Sequence, residues 1–109
     1  MPWQHLVSLF FGGAFLSNAV PHFVGGVMGE SFQSPFAKPP GKGLSSSTVN
    51  VVWGIANLVI GYVLVCRTGD IDMKKTVDVV VLGLGVLVMS LHSARHFGQF
   101  HGGRVPERS

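Results

Sequence analysis

The side chains best suited to chemistry in this sequence are its histidines, five among 109 residues. His92 and His96 are four apart, so on a helix both imidazoles project from one face, one turn apart. Two rings at that spacing can reach a single metal ion, and a third donor must come from another segment. His22 is the candidate third donor and His101 a fourth. Neutral imidazoles suit zinc, copper or iron. The same rings can instead ligate haem axially, with neighbouring glycines leaving room for the macrocycle. Arg95 stands beside the pair and offers a guanidinium to a phosphate or a quinone carbonyl. The candidate cofactor-binding set is therefore His22, His92, Arg95 and His96, and the candidate metal set is His22, His92, His96 and His101. A structural role stands beside these: at a wet membrane interface His92 and His96 can hydrogen-bond Asn50, Ser90 or loop carbonyls.

The elements that must position these residues are apolar and almost free of charge. No Lys, Arg, Asp or Glu occurs in residues 1–29, 43–66 or 79–94. A bilayer-spanning helix requires about 20 mainly apolar residues. The sequence thus predicts an all-α integral membrane protein, with about three transmembrane helices in a small bundle and a Pro/Gly-rich loop between the first two. Residues 1–109 form a single membrane domain. Helix one is expected over about 3–20, followed by a kink or surface turn over 21–29 because Pro21 removes a backbone donor. The loop spans 30–47 and holds Pro35, Pro39, Pro40, Gly41 and Gly43. Helix two is expected over about 48–67, with a cap from Ser45, Ser46, Ser47 or Thr48. Helix three is expected over about 74–97, with Asp70 or Asp72 as N-cap, and a polar tail over 98–109. The valine run from Val77 to Val81 suits a strand in water, but an isolated strand in lipid leaves its backbone unsatisfied. The short connection after helix two predicts that helices two and three are antiparallel neighbours.

Each predicted helix carries a stripe of small or polar residues. The stripes are His5, Ser8, Gly12, Ala19 and His22; Asn50, Gly54, Asn57 and Gly61; and Asp78, Gly85, Met89, His92 and His96. Lipid solvates Leu and Val as well as a partner helix does, so membrane helices associate through small residues and interhelical hydrogen bonds. The stripes therefore predict close packing within the bundle and association with a copy of the chain or with a larger membrane complex. With three spans, His22, Asn50, His92 and His96 fall at one membrane face and His5 and Asp78 at the other.

Composition excludes several classes. Charged residues make up only 12% of the chain, and no basic patch interleaves with aromatics, which argues against nucleic-acid binding. Cys66 is the one cysteine, so no internal disulfide forms. No hydrolase triad, zinc-protease motif or phosphate loop is present, and Gly83-Leu84-Gly85 lacks the third glycine of a dinucleotide fingerprint. Ser17-Asn18-Ala19 has the small residues of a signal-peptide cleavage site, but the positive leader is missing, so the first segment is expected to be a retained helix. Loop one and the tail carry Lys38, Lys42, Arg95, Arg104 and Arg108 against Arg67, Lys74 and Lys75 on the other side, which leans toward a cytoplasmic C-terminus.

The leading functional expectation is a small membrane subunit or oligomeric packing module, not an enzyme on its own, whose histidine face binds a transition metal or haem. A second is a redox or metalloenzyme component using His22, His92 and His96 as ligands. A third is a transporter or channel oligomer with Asn18, Asn57 and Asp78 along its path. The bilayer is the first partner, and a quinone or lipid headgroup is a candidate ligand.

Overall fold

The computed structural model describes residues 2–103. It is mostly helical: α1 spans Pro2–Val27, α2 spans Ser47–Tyr62 and α3 spans Thr76–His101. A π-helical stretch, Val63–Thr68, extends α2 without a break. With that extension, all three helices are long and apolar enough to cross a membrane. At 1.5 Å per residue, the 26-residue α1 and α3 are each about 39 Å long, beyond the roughly 30 Å hydrocarbon core of a bilayer. This is the architecture of an integral membrane protein.

Several boundaries differ from the sequence expectation. α1 runs through Pro21 to Val27, with no break or surface turn at 21–27. The reason is packing: the turns after Pro21 are held against α2, where His22 bonds Asn50 and Phe23 lies over Gly54. A proline in a membrane helix is tolerated when a neighbouring helix steadies the freed backbone. The helix instead ends at Val27, and Gly29, with a positive φ of 80°, closes a Schellman turn in which Gly29 N bonds Gly26 O and Glu30 N bonds Gly25 O. Ser46 caps α2 by accepting from Val49 N at 3.2 Å, one of the residues anticipated. Neither Asp70 nor Asp72 caps α3; the cap position is Lys75, with no side-chain bond. Asp72 accepts from Lys74 N instead, and Asp78, in the first turn, accepts from Asp72 N at 3.0 Å. α3 also continues past 97 to His101 and ends at Gly102 in a left-handed conformation, so the polar tail begins there. Arg104, Arg108 and the rest of the tail lie outside the described residues.

The packing order is the main departure. α1 packs against both α2 and α3, and α2 and α3 are not neighbours. The short connection of residues 69–75 joins α2 to α3 and starts at Gly69, which lies close to the Leu9 side chain of α1. Contacts between α1 and α2 run antiparallel, Phe23 on Gly54 and Leu16 on Gly61. Those between α1 and α3 run parallel, His5 on Asp78, Phe10 on Gly85 and Ser17 on Ser90. The result is a three-helix layer of 40 × 39 × 23 Å, not a closed bundle. The stripe on α2 is its buried set, Asn50, Gly54, Asn57 and Gly61.

Between α1 and α2 the chain folds back over the end of the layer. Phe32–Gln33 and Leu44–Ser45 form a two-residue antiparallel ribbon, β1 and β2, with Phe32 opposite Ser45. Ser34 Oγ meets Ser45 Oγ at 2.5 Å and accepts from Phe36 N, which ties the turn to the ribbon.

Gly85 decides the α1–α3 distance: a Cβ there would fall on the Phe10 carbonyl, whereas one at Gly83 would meet nothing within 4 Å. Gly85→Ala is expected to destabilise the protein by about 1–3 kcal/mol through overpacking. Gly83→Ala should stay within about 0.5 kcal/mol. SDS-titrated unfolding from mixed micelles measures both, and equal costs would contradict this packing.

Candidate functional site

The polar residues of the helices fall on the two seams of α1. On the α3 seam, His5 Nε2 donates to Asp78 Oδ1 at 3.0 Å, and Asp78 is only 2% exposed. Ser17 and Ser90 pair further along, at 2.7 Å. On the α2 seam, Ser8 Oγ lies 2.6 Å from both the Leu64 carbonyl and Thr68 Oγ1. Asn18 Nδ2 donates to Asn57 Oδ1 at 3.0 Å, and Asn57 Nδ2 to the Trp53 carbonyl at 2.8 Å. Asn18 and Asn57 therefore sit on one seam and Asp78 on the other. These residues satisfy one another, as polar groups in hydrocarbon must.

The richest site is the end covered by the folded loop. Asn50, fully buried, is its node. Its Nδ2 faces three carbonyls, those of Phe32, Ser45 and Ser46, at 3.1–3.3 Å. Three acceptors fix the amide orientation, so Oδ1 must be the atom that faces His22 at 2.7 Å. His22 Nδ1 therefore carries a proton and donates. The ring is 2% exposed and is surrounded edge-on by Phe32, Trp53 and Phe97, with centroids 5.5, 6.4 and 5.7 Å away. One asparagine thus joins α1, α2 and both strands of the ribbon.

Two histidines of α3 fasten the loop from the other side. His96 Nε2 donates to the Gly41 carbonyl at 2.6 Å. His101 Nε2 donates to Gln33 Oε1 at 2.8 Å, and its ring stacks on Phe32 at 4.8 Å. His92 is exposed and stacks on His96, with centroids 6.1 Å apart and planes 10° from parallel. Arg95 is exposed, and no ion pair involving it occurs among the described residues.

His22, His92, His96 and His101 thus belong to one end of the molecule, linked by ring contacts through Phe32 and Phe97. They do not converge on a point. Among the described residues, no group of three or more His, Cys, Asp or Glu side chains is placed to share a metal ion. The hydrogen bond of His96 is of the kind the sequence allowed, to a loop carbonyl, whereas Asn50 is engaged by His22 and not by His92 or His96. Gln33 was not legible as a site residue, because no periodicity marks a loop position. The Ser17–Ser90 pair was also missed, since two isolated serines carry no signal until the helices are aligned.

Grooves flank the layer. One, of about 440 Å³, lies between α1 and α3 and is bounded by Phe10, Phe11, Phe15, Asn18, Met89 and His92 among others. Another, of about 550 Å³, lies on α2 beside Phe36, Val49, Val52 and Trp53. Trp53 Nε1 and Ser93 Oγ are buried without a hydrogen-bond partner among the described residues.

Fold and site together define a small integral membrane protein of three helices whose folded loop is sewn onto one end. No protein-family model, curated protein or solved structure matches the chain.

Asn50→Ala is expected to cost about 2 kcal/mol or more, because it removes the acceptor of His22 and a donor from three carbonyls, of which that of Ser46 keeps another, the backbone N–H of residue 50, whereas Asn57→Ala should cost about 1 kcal/mol. Hydrogen exchange across residues 30–46 separates the two. It should rise in Asn50→Ala and stay protected in Asn57→Ala, and a loop unchanged by both would show that Asn50 does not hold it.

Proposed function

We propose that this protein is a non-catalytic membrane subunit that works by associating laterally, with a copy of itself or with a larger membrane assembly. One observation carries this reading: only α1 is packed on two sides, which leaves the outward faces of α2 and α3 without a protein neighbour. On α2 the exposed row includes Val52, Ile55 and Val59, and on α3 it includes Leu84, Leu87 and Leu91. The α2 row lies beside the apolar groove at Trp53. The rigidly fastened loop favours a scaffolding role over a moving gate, because Asn50, His96 and His101 all hold it against the helix ends.

Single cysteines scanned through residues 51–60 and 83–92, which include those six positions and the other faces of both helices, test the reading in native membranes in a Cys66→Ser background. Oxidation should give crosslinked species that peak at one helical face with a period of three to four residues. A band at twice the chain mass means self-association, and a larger discrete band means another subunit. Monomer throughout, or crosslinking without periodicity, would overturn the proposal.

Metal capture by His92 and His96 is a second reading, favoured by the near-parallel stack of two rings one turn apart. Two imidazoles at this spacing can chelate a borderline ion such as Ni²⁺ or Zn²⁺. Titration calorimetry of the detergent-solubilised protein with Ni²⁺ should then show one site per chain, lost in His92→Ala. Equal heats from the variant would remove this reading and leave the first untouched.

A further inference from the structure

The groove between α1 and α3 has an apolar floor and one polar end. Phe11 and Phe15 bound it from α1 and Val88 and Met89 from α3, with Asn18 and His92 at the end nearest the folded loop. Arg95 extends that end. It lies seven residues after Val88 and three after His92, so helical geometry places it on the same stripe. It also marks the border of the bilayer core, being the first charge after the uncharged run 79–94. A guanidinium on a flexible stem at such a border can reach the headgroup layer.

Charge agrees with this geometry. Among the described residues this end carries Lys38, Lys42 and Arg95 against Glu30 alone, and none of the three cations is in an ion pair. The bond from His96 to Gly41 brings the loop that carries Lys42 against the end of α3. At the opposite end, Arg67, Lys74 and Lys75 are balanced by Asp70, Asp72 and Asp78. An apolar trough in the hydrocarbon that opens at an unpaired cation is complementary to one class of molecule, a lipid with an anionic head.

We propose that the α1–α3 groove binds an anionic phospholipid, with one acyl chain along Phe11, Phe15 and Met89 and its phosphate at Arg95 and His92. Arg95 supplies the charge-assisted hydrogen bonds, which a guanidinium makes to phosphate in a bidentate fashion. His92 adds a further donor from the same stripe. The site depends on the chain lying in a bilayer and not on lateral association, so failure of one proposal leaves the other standing.

Met89→Trp, in a Trp3→Phe/Trp53→Phe background, places a fluorophore in the groove. Val20→Trp in the same background places one on an exposed part of α1, outside the groove and outside both rows of the crosslinking test, as the control. Both proteins are reconstituted in mixed phosphatidylcholine and phosphatidylglycerol vesicles, with the chains of one lipid or the other brominated, and the ratio of quenching gives the preference for the anionic lipid at each site. The expected preference at position 89 is about fivefold, on the order of one basic residue's contribution, with none at position 20. Adding Arg95→Gln should abolish the preference at 89, and Arg95→Lys should restore part of it. Equal preference at both positions, or a preference that survives Arg95→Gln, would overturn the proposal. Failure of either brominated lipid to quench at position 89 would also overturn it, by showing the groove filled by protein.

Discussion

Among the described residues, the extensive contacts between helices all pass through α1. In hydrocarbon, a leucine or valine face gains nothing by exchanging lipid for another helix. Association must then come from backbone approach and from hydrogen bonds between helices. α1 supplies both on two sides at once. Toward α2 it lays Phe23 over Gly54 and Leu16 over Gly61, and toward α3 it brings the Phe10 backbone to Gly85. Each contact sits where a side chain on the partner would not fit. The flat layer follows: with two seams on one helix, α2 and α3 are held apart.

The polar residues follow the same seams, and their distribution explains the two ends of the molecule. At one end His5 and Asp78 join α1 to α3, and Asp78 also accepts from Asp72 N. That arrangement fastens the connection before α3 to its first turn. At the other end the node is Asn50, which serves His22 and three carbonyls together. A loop rich in proline and glycine has little helix or sheet ladder to satisfy its backbone. Here the amide of one buried asparagine, a two-residue ribbon and two histidines from α3 take over that task. The histidines that look in sequence like a ligand set are thus largely engaged as ties between the loop and the helices.

How much of this was legible depends on the range of the interaction. Ser46 as a cap, and Asn50, Gly54, Asn57 and Gly61 as the inward face of α2, could be read from local sequence, because capping and helical period act within a few residues. Pro21 misled, as a possible end only, for the same reason: its local effect is to kink or end a helix, and what carries α1 on beyond it is α2, whose contacts lie about thirty residues further along the chain. The adjacency of α2 and α3 was inferred from a short connection. A short connection limits how far apart two helix ends can be, but it does not forbid a third helix between them.

Composition and period by themselves determined the class of this protein. Long runs without charge require helices in a bilayer, since lipid offers the backbone no other partner. They also placed small and polar stripes where helices would meet, and they brought His22, His92, His96 and His101 to the same end. Only the tertiary structure decided which stripe meets which. It put α1 in the middle, paired Asn18 with Asn57 and Ser17 with Ser90, and turned His22, His96 and His101 toward separate partners. The physical reason is that direction and distance between side chains on different helices depend on the rotation and depth of each helix. Those are set by the packing of the whole layer and are not encoded in any local stretch.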